Sequence, residues 1–350
     1  MTILIDILHP AHVHFFRTLI GRLQGRGFRV IVTARSKEMS LALLDRYGIP
    51  SIPVSAQKSG LGLVVEMLVR TLRIIGICRR EKPVLLAGIM GPSIAVAGRV
   101  LGIPSWIFYD TENAWITNWF AYPLASRVYT PACYLGNERP NQIRYQGYHE
   151  LAYLHPAVFT PDPGVLARYN IDPARPYSVV RFVGWQASHD LGEKGLSGTD
   201  KLALVHALAR YGTVYITSES PLPPALQPYC LPVSIEDIHH LLAHARLFLG
   251  ESATMASEAA VLGVPAIFIS DTSRGYTLEQ EKDYQLVFNL ARSQTPKALQ
   301  LVDYLLGNPE AGPKYARKRR DLLAEKIDVT AYLLEQILQS FPPGSSSCAA

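Results

Sequence analysis

Runs of strand-forming residues alternate with helical segments from the second residue onward, and few folds accept that order. Residues 2–8 read as a buried strand, followed by an amphipathic segment over 13–24 that stops at Gly25 and Gly27. Stretches 28–33, 52–54, 84–87 and 106–109 continue the strand series, with helices between them. A second series begins near Tyr177, with strands over 178–183, 213–217, 247–250 and 266–270 and helices over 201–210, 235–244 and 254–262. Each parallel crossover needs a covering helix, so this alternation predicts parallel, doubly wound α/β sheets.

Two such series divide a chain of 350 residues into two domains of ordinary size. The expected boundaries are 1–145 for a first Rossmann-like domain and 177–312 for a second. A stretch rich in Pro, Tyr and Asp over 146–176 connects them. A C-terminal helix over 313–340 belongs to neither series, and 341–350 reads as a disordered tail. A weak internal repeat supports two similar domains: GPSIAVAGRVLGIPSWIF from Gly91 matches SATMASEAAVLGVPAIFI from Ser252 when aligned on Leu-Gly-x-Pro. The copies differ where the first has Ala97 and the second Glu258. That carboxylate either lies on a solvated helix face or serves a ligand.

The net charge of +5, without a basic stripe interleaved with aromatics, excludes a nucleic-acid footprint. Four scattered cysteines give no Cys-x-x-Cys pair, which argues against a zinc site or disulfide framework and for a reducing, cytoplasmic setting. The N-terminus lacks a basic region and has Asp6 in its apolar run, so it reads as a strand and not a signal peptide. The longest apolar stretch, 61–78, contains Glu66, Arg70 and Arg73, which rules out an ordinary transmembrane helix. The segment 61–80 is either a core helix covering the first sheet or a peripheral contact with an anionic membrane.

Several segments fall at strand ends, where open α/β sheets bind ligands. Ser252-Ala253-Thr254 follows a strand and opens a helix, so its free N–H groups and the helix dipole suit a phosphate; plain N-capping is the alternative. The turn His9-Pro10-Ala11-His12-Val13-His14 follows the first strand. Its histidines lack the spacing for a metal site, so His12 reads as a general base or hydrogen-bond donor, or as a capping and packing residue. Arg181 ends the first strand of the second series, His189 follows it in a Gly-containing loop, and both suit phosphate. Asp110 and its neighbours Thr111 and Glu112 either accept an alcohol proton and sugar hydroxyls or cap the next helix. Asp237, His239, His240 and His244 look zinc-like in spacing, but their helix needs a hydrophilic face, and a surface position is expected.

Together, IDILHPAHVHFFRTL, DTENA, RFVGWQASHD and GESATMASEAAVLGVPAI resemble family 354 of the domains of unknown function, over nearly the whole chain to about Asp283. More distantly the pattern is similar to GT-B enzymes acting on UDP-sugars, notably UDP-N-acetylglucosamine 2-epimerase and the transferase that makes lipid II. The resemblance implies two Rossmann-like domains facing across a cleft, without a cofactor or metal. It implies that the helix start at Ser252 binds a diphosphate and that Glu258, six residues on, holds the ribose hydroxyls. Asp271-Thr272-Ser273-Arg274 echoes the epimerase's Asp-Thr-Thr-Glu-Arg, and His12-Val13 falls where the transferase has His-Val. Gly88-Ile89-Met90-Gly91, however, lacks the acid the epimerase carries there. The implied activity is glycosyl transfer from a nucleotide-diphosphate sugar, with the nucleotide in the second domain and a sugar or lipid-linked acceptor in the first. His12, Asp110 and His189 are then the catalytic candidates. Arg181, Ser252, Ala253, Thr254, Glu258 and Arg274 are the nucleotide-binding ones. A UDP-sugar epimerase or hydrolase and a non-catalytic sugar-nucleotide-binding protein are the alternatives.

Overall fold

The computed structural model describes residues 1–36, 38–56, 62–112, 115–172, 174–183, 195–218, 221–308 and 311–342. The chain forms two compact units, one from 1–153 with 327–350 and the other from 154–326.

In the first unit, β1 (Thr2–Ile7), α1 (Pro10–Gly25), β2 (Arg29–Ser36), α2 (Glu38–Arg46) and β3 (Ser51–Ala56) come first. They are followed by α3 (Gly62–Glu81), β4 (Leu85–Ile89), α4 (Pro92–Leu101), β5 (Ser105–Phe108) and α5 (Trp115–Leu124). Two strands beyond the sequence expectation, β6 (Arg127–Pro131) and β7 (Gln142–Tyr145), complete a parallel sheet in the order β3-β2-β1-β4-β5-β6-β7. Alternate residues of a strand point to opposite faces. Leu4, Val54 and Leu86 therefore meet Ile74, Ile77, Ile94 and Ala97 from α3 and α4 on one face. Phe108 points to the other, against Phe15 and Phe16 of α1.

Short helices α6 (Leu151–Leu154) and α7 (Gly164–Ala167) lead into the second series: β8 (Tyr177–Phe182), α8 (Gly198–Ala209), β9 (Thr213–Ser218) and α9 (Ile238–Ala243). Next come β10 (Leu247–Gly250), α10 (Ala253–Leu262), β11 (Ala266–Ile269), α11 (Gly275–Lys282), β12 (Val287–Leu290) and α12 (Thr295–Leu306). Its five parallel strands run β12-β11-β10-β8-β9.

The sequence suggests one terminal helix, whereas the structure has two, α13 (Ala311–Glu325) in the second unit and α14 (Val329–Ser340) in the first. Asp328 explains the break: its carboxylate accepts the Ala331 N–H at 2.9 Å and starts a new helix, which then packs on α1.

The larger correction concerns α3. Its periodicity offers aliphatic side chains to the core, yet Glu66 and Arg70 face inward while Val64, Val65, Leu68, Val69 and Leu72 are exposed. Buried ions need partners, and here they have them. Arg70 donates to both oxygens of Asp6, to the Ser55 hydroxyl at 2.9 Å and to the Ile7 carbonyl at 3.2 Å. Glu66 takes a two-pronged ion pair from Arg35, 2.6 Å at each oxygen, and Thr33 donates to Asp6 at 2.6 Å. Among the described residues, no helix is long and apolar enough to cross a membrane.

Candidate functional site

In a doubly wound sheet the crossovers change direction at one point, and the loops diverge there to leave a crevice at the strands' carboxyl ends. In the first unit this switch lies between β1 and β4, and in the second between β8 and β10.

At the second switch the structure gathers most of the expected nucleotide-binding residues. Arg181 is near the end of β8 and in register with Gly250 at the end of β10. A side chain at Gly250 would come 2.4 Å from the Arg181 carbonyl, so only glycine permits this strand pairing. Ser252 caps α10, accepting the Met255 N–H at 3.3 Å, and leaves Ala253 and Thr254 as the helix's first residues. Capping and anion binding are thus compatible, because the cap satisfies one N–H of a turn that has four. Glu251 has a role that motif reading missed. Its buried carboxylate accepts the Leu196 N–H at 2.6 Å and the Val183 N–H at 3.2 Å, tying both flanks of 184–194 to this strand end. His189 lies outside the described residues. Arg274 stands at the N-cap position of α11, after the next strand, and is half-buried, with Nη1 donating to the Ser273 carbonyl at 3.0 Å.

Glu258 is buried, not on a solvated face, and Oε1 lies 2.9 Å from Nε2 of His239. The expectation of a surface position for Asp237 and His239 is therefore corrected: both are buried. Asp237 accepts from Arg168 at 3.0 Å and Tyr169 at 2.7 Å, and the hydrophilic side of α9 is turned into the unit by these partners.

The first unit assembles a different chemistry. His12, after β1, is buried, and its Nδ1 accepts the Leu8 N–H at 3.3 Å. Burial, reinforced by His9 and His149, pushes its pKa well below the ordinary value, so the ring is neutral with its proton on Nε2. His12 in this state presents a donor. His14 turns elsewhere, against the rings of Tyr47 and Tyr153. Asp110, after β5, pairs with a residue that sequence reasoning passed over: its Oδ2 lies 3.0 Å from Nδ1 of His149. Burial pushes the Asp110 carboxyl up, but His149 and the Thr111 hydroxyl outweigh it and hold the carboxyl below its usual value. The His149 ring packs on Phe15, one helical turn from His12, and its buried Nε2 has no hydrogen-bond partner among the described residues. His149 follows β7, and the strand-end rule that flagged His12 and Asp110 would have flagged it had that strand been read. Among the described residues no group of His, Cys, Asp or Glu is arranged to hold a metal ion.

A family model described as protein of unknown function (DUF354) matches residues 1–182, just over half of the chain. The chain belongs to the DUF354 family. No curated protein matches its sequence. Solved structures resemble this DUF354 member throughout. A UDP-GlcNAc 2-epimerase from Neisseria meningitidis, bound to UDP-GlcNAc, has a TM-score of 0.70 at 14% identity, covering 97% of this chain and 100% of its own. MurG from Acinetobacter baumannii gives 0.62 at 18% identity, over 97% and 100%. A UDP-GlcNAc 2-epimerase from Methanocaldococcus jannaschii gives 0.60 at 14%, over 91% and 99%. At these identities the likeness is one of fold, and the fold is the two-domain GT-B type.

Proposed function

We propose that this protein is a glycosyltransferase that takes a nucleotide-diphosphate sugar, UDP-linked in the simplest reading, and builds a surface polysaccharide or glycoconjugate. The observation that carries this reading is the clustering of Arg181 and the Ser252–Thr254 helix start at the switch point of the second sheet. The free first-turn N–H groups and the dipole of α10 offer partial positive charge to a diphosphate, and Arg181 and Arg274 add full charges. The same groups would meet the charge that develops on the departing diphosphate. That structurally similar proteins hold UDP-GlcNAc, UDP or dTDP lends support.

Glu258 would take the ribose hydroxyls, with His239 holding its carboxylate in place. In the first unit Asp110, kept ionised and oriented by His149, would take the proton of the acceptor hydroxyl as that oxygen bonds the sugar's anomeric carbon and the sugar–diphosphate bond breaks, and His12 would donate a hydrogen bond from Nε2. No metal is needed in this scheme, because helix dipole and arginines supply the positive charge. The protein would act in the cytoplasm, or at the inner membrane face where the acceptor is lipid-linked. Epimerisation or hydrolysis of the same sugar nucleotide is the second reading, favoured by the fold likeness to 2-epimerases; the Gly88–Gly91 turn supplies it no acid.

Thermal shift against nucleoside diphosphates and their sugars tests the first step, since a ligand of the folded state raises its stability. UDP and a UDP-sugar are expected to raise the melting temperature; no shift with any nucleoside diphosphate would overturn the reading. With a binding donor found, solvent deuterium entering the sugar at C2 would identify an epimerase instead. Binding without any turnover would identify a sugar-nucleotide-binding protein.

A further inference from the structure

The outward face of α3 inverts the usual arrangement of a surface helix. Val64, Val65, Leu68, Val69 and Leu72 follow helical spacing, form one stripe and are 39–68% exposed. The stripe is fixed in place. Rotating α3 to bury it would strand Arg70 and Glu66, whose partners Asp6, Ser55 and Arg35 all belong to the sheet. Such an ion network tolerates no loss of partners, so the aliphatic side is held toward the outside. α4 packs beside α3 over the same sheet face, and its Val100 is 61% exposed. The exposed Arg73, Arg79, Arg80 and Arg99 flank these residues. Of the two carboxylates on these helices, Glu66 is buried with Arg35, while Glu81, shared between Arg29 and Arg80, offsets Arg80 in part and leaves Arg73, Arg79 and Arg99 without a carboxylate from either helix. The outer layer is therefore aliphatic at its centre and cationic at its rim.

We propose that the outward face of α3, with the end of α4, docks onto a membrane leaflet rich in anionic lipid. This goes beyond the glycosyl-transfer reading and does not depend on it. The chemistry selects this occupant over a second copy of the chain. A twofold interface sets a patch against itself, so the arginines of one copy would oppose those of the other. The apolar patch, on the order of a few hundred Å², is also small beside the roughly 800 Å² that each partner of a stable complex buries. An anionic leaflet instead pairs with the arginine rim and takes the aliphatic side chains at its headgroup boundary.

Co-sedimentation of the full chain tests this with phosphatidylcholine vesicles, with and without phosphatidylglycerol, at low and high salt. Binding is expected to the anionic vesicles, weakened by high salt because the charge attraction is screened. The double variant Leu68→Asp, Leu72→Asp should reduce that binding by about tenfold or more, since two carboxylates replace aliphatic contacts and oppose the leaflet's charge. Both positions are exposed, so circular dichroism and the melting temperature should match the parent. Arg79→Ala with Arg80→Ala should lower binding to anionic vesicles and flatten its salt dependence. No binding to anionic vesicles at low salt, or binding unchanged in the aspartate variant, would overturn the proposal. So would a dimer in light scattering that the aspartate variant dissociates, which would assign the face to a second copy.

Discussion

The two copies of the internal repeat fold alike and differ at the two places that bear on chemistry. α4 and α10 start and stop at aligned residues, and each ends in a left-handed glycine, Gly102 at φ 68° and Gly263 at φ 86°. Each exit closes with the same backbone bond, Ile103 N–H to Gly98 and Val264 N–H to Ala259. The helix starts diverge. α4 begins after Met90 and Gly91, both at positive φ and with no side-chain cap, whereas α10 begins on the capping hydroxyl of Ser252. The second difference is Ala97 against Glu258. Both are buried, so position alone dictates burial, and the residue dictates what must surround it. An alanine there asks only for packing, which Ile74, Ile77 and Ile94 of its cluster supply. A carboxylate asks for a partner, and α9 supplies His239.

The sharpest way to break the comparison is to give the first copy the second's carboxylate. Ala97→Glu buries an acid among aliphatic side chains, and the expected loss is about 3–5 kcal/mol, the cost of an uncompensated buried charge. Urea denaturation measures it; a loss under about 1 kcal/mol would mean the cluster accommodates charge as readily as the second copy does.

The converse change removes the carboxylate where it has a partner. Glu258→Ala should weaken binding of UDP by about 1.5–3 kcal/mol, the range for hydrogen bonds to a charged group. Glu258→Gln, which can still bond His239, separates the roles: stability close to the parent with weakened UDP binding places the carboxylate on the nucleotide. Calorimetric titration reads both, and unchanged affinity in a folded Glu258→Ala protein removes this residue from the site.

A smaller effect should distinguish the exits. Gly102→Ala meets open space and faces only the left-handed backbone, a cost of about 1–2 kcal/mol. Gly263→Ala adds a contact at 2.8 Å with Arg319, whose Nε donates to the Val261 carbonyl at 2.9 Å. Losing that bond should add about 0.5–1.5 kcal/mol, visible as a larger fall in melting temperature. Equal falls would show that Arg319 yields without losing its bond.

Sites were legible where a strand announced itself. β1 and β5 are strongly apolar, so His12 and Asp110 stood out at their ends. β7 is only Gln-Ile-Arg-Tyr, too short and too polar to read as a strand, so His149, in the expected connection over 146–176, had no strand end to mark it. His239 was misplaced because helix periodicity ranks residues by polarity, and a buried hydrogen-bonded pair such as His239 with Glu258 violates that ranking.

The sequence by itself determined the two βα series, the repeated helix with its glycine exit, and the helix start at Ser252–Thr254. These depend on backbone preferences and on neighbours within a few residues, which a local pattern records in full. Only the tertiary structure decided which way α3 faces, which histidine holds Asp110, which holds Glu258, and that Asp328 splits the terminal helix between the units. Each of those rests on side chains brought together from distant parts of the chain, such as Asp6 with Arg70 or Asp110 with His149. The energy of a buried charge is set by the partner it meets, and the partner is fixed only when the sheets form.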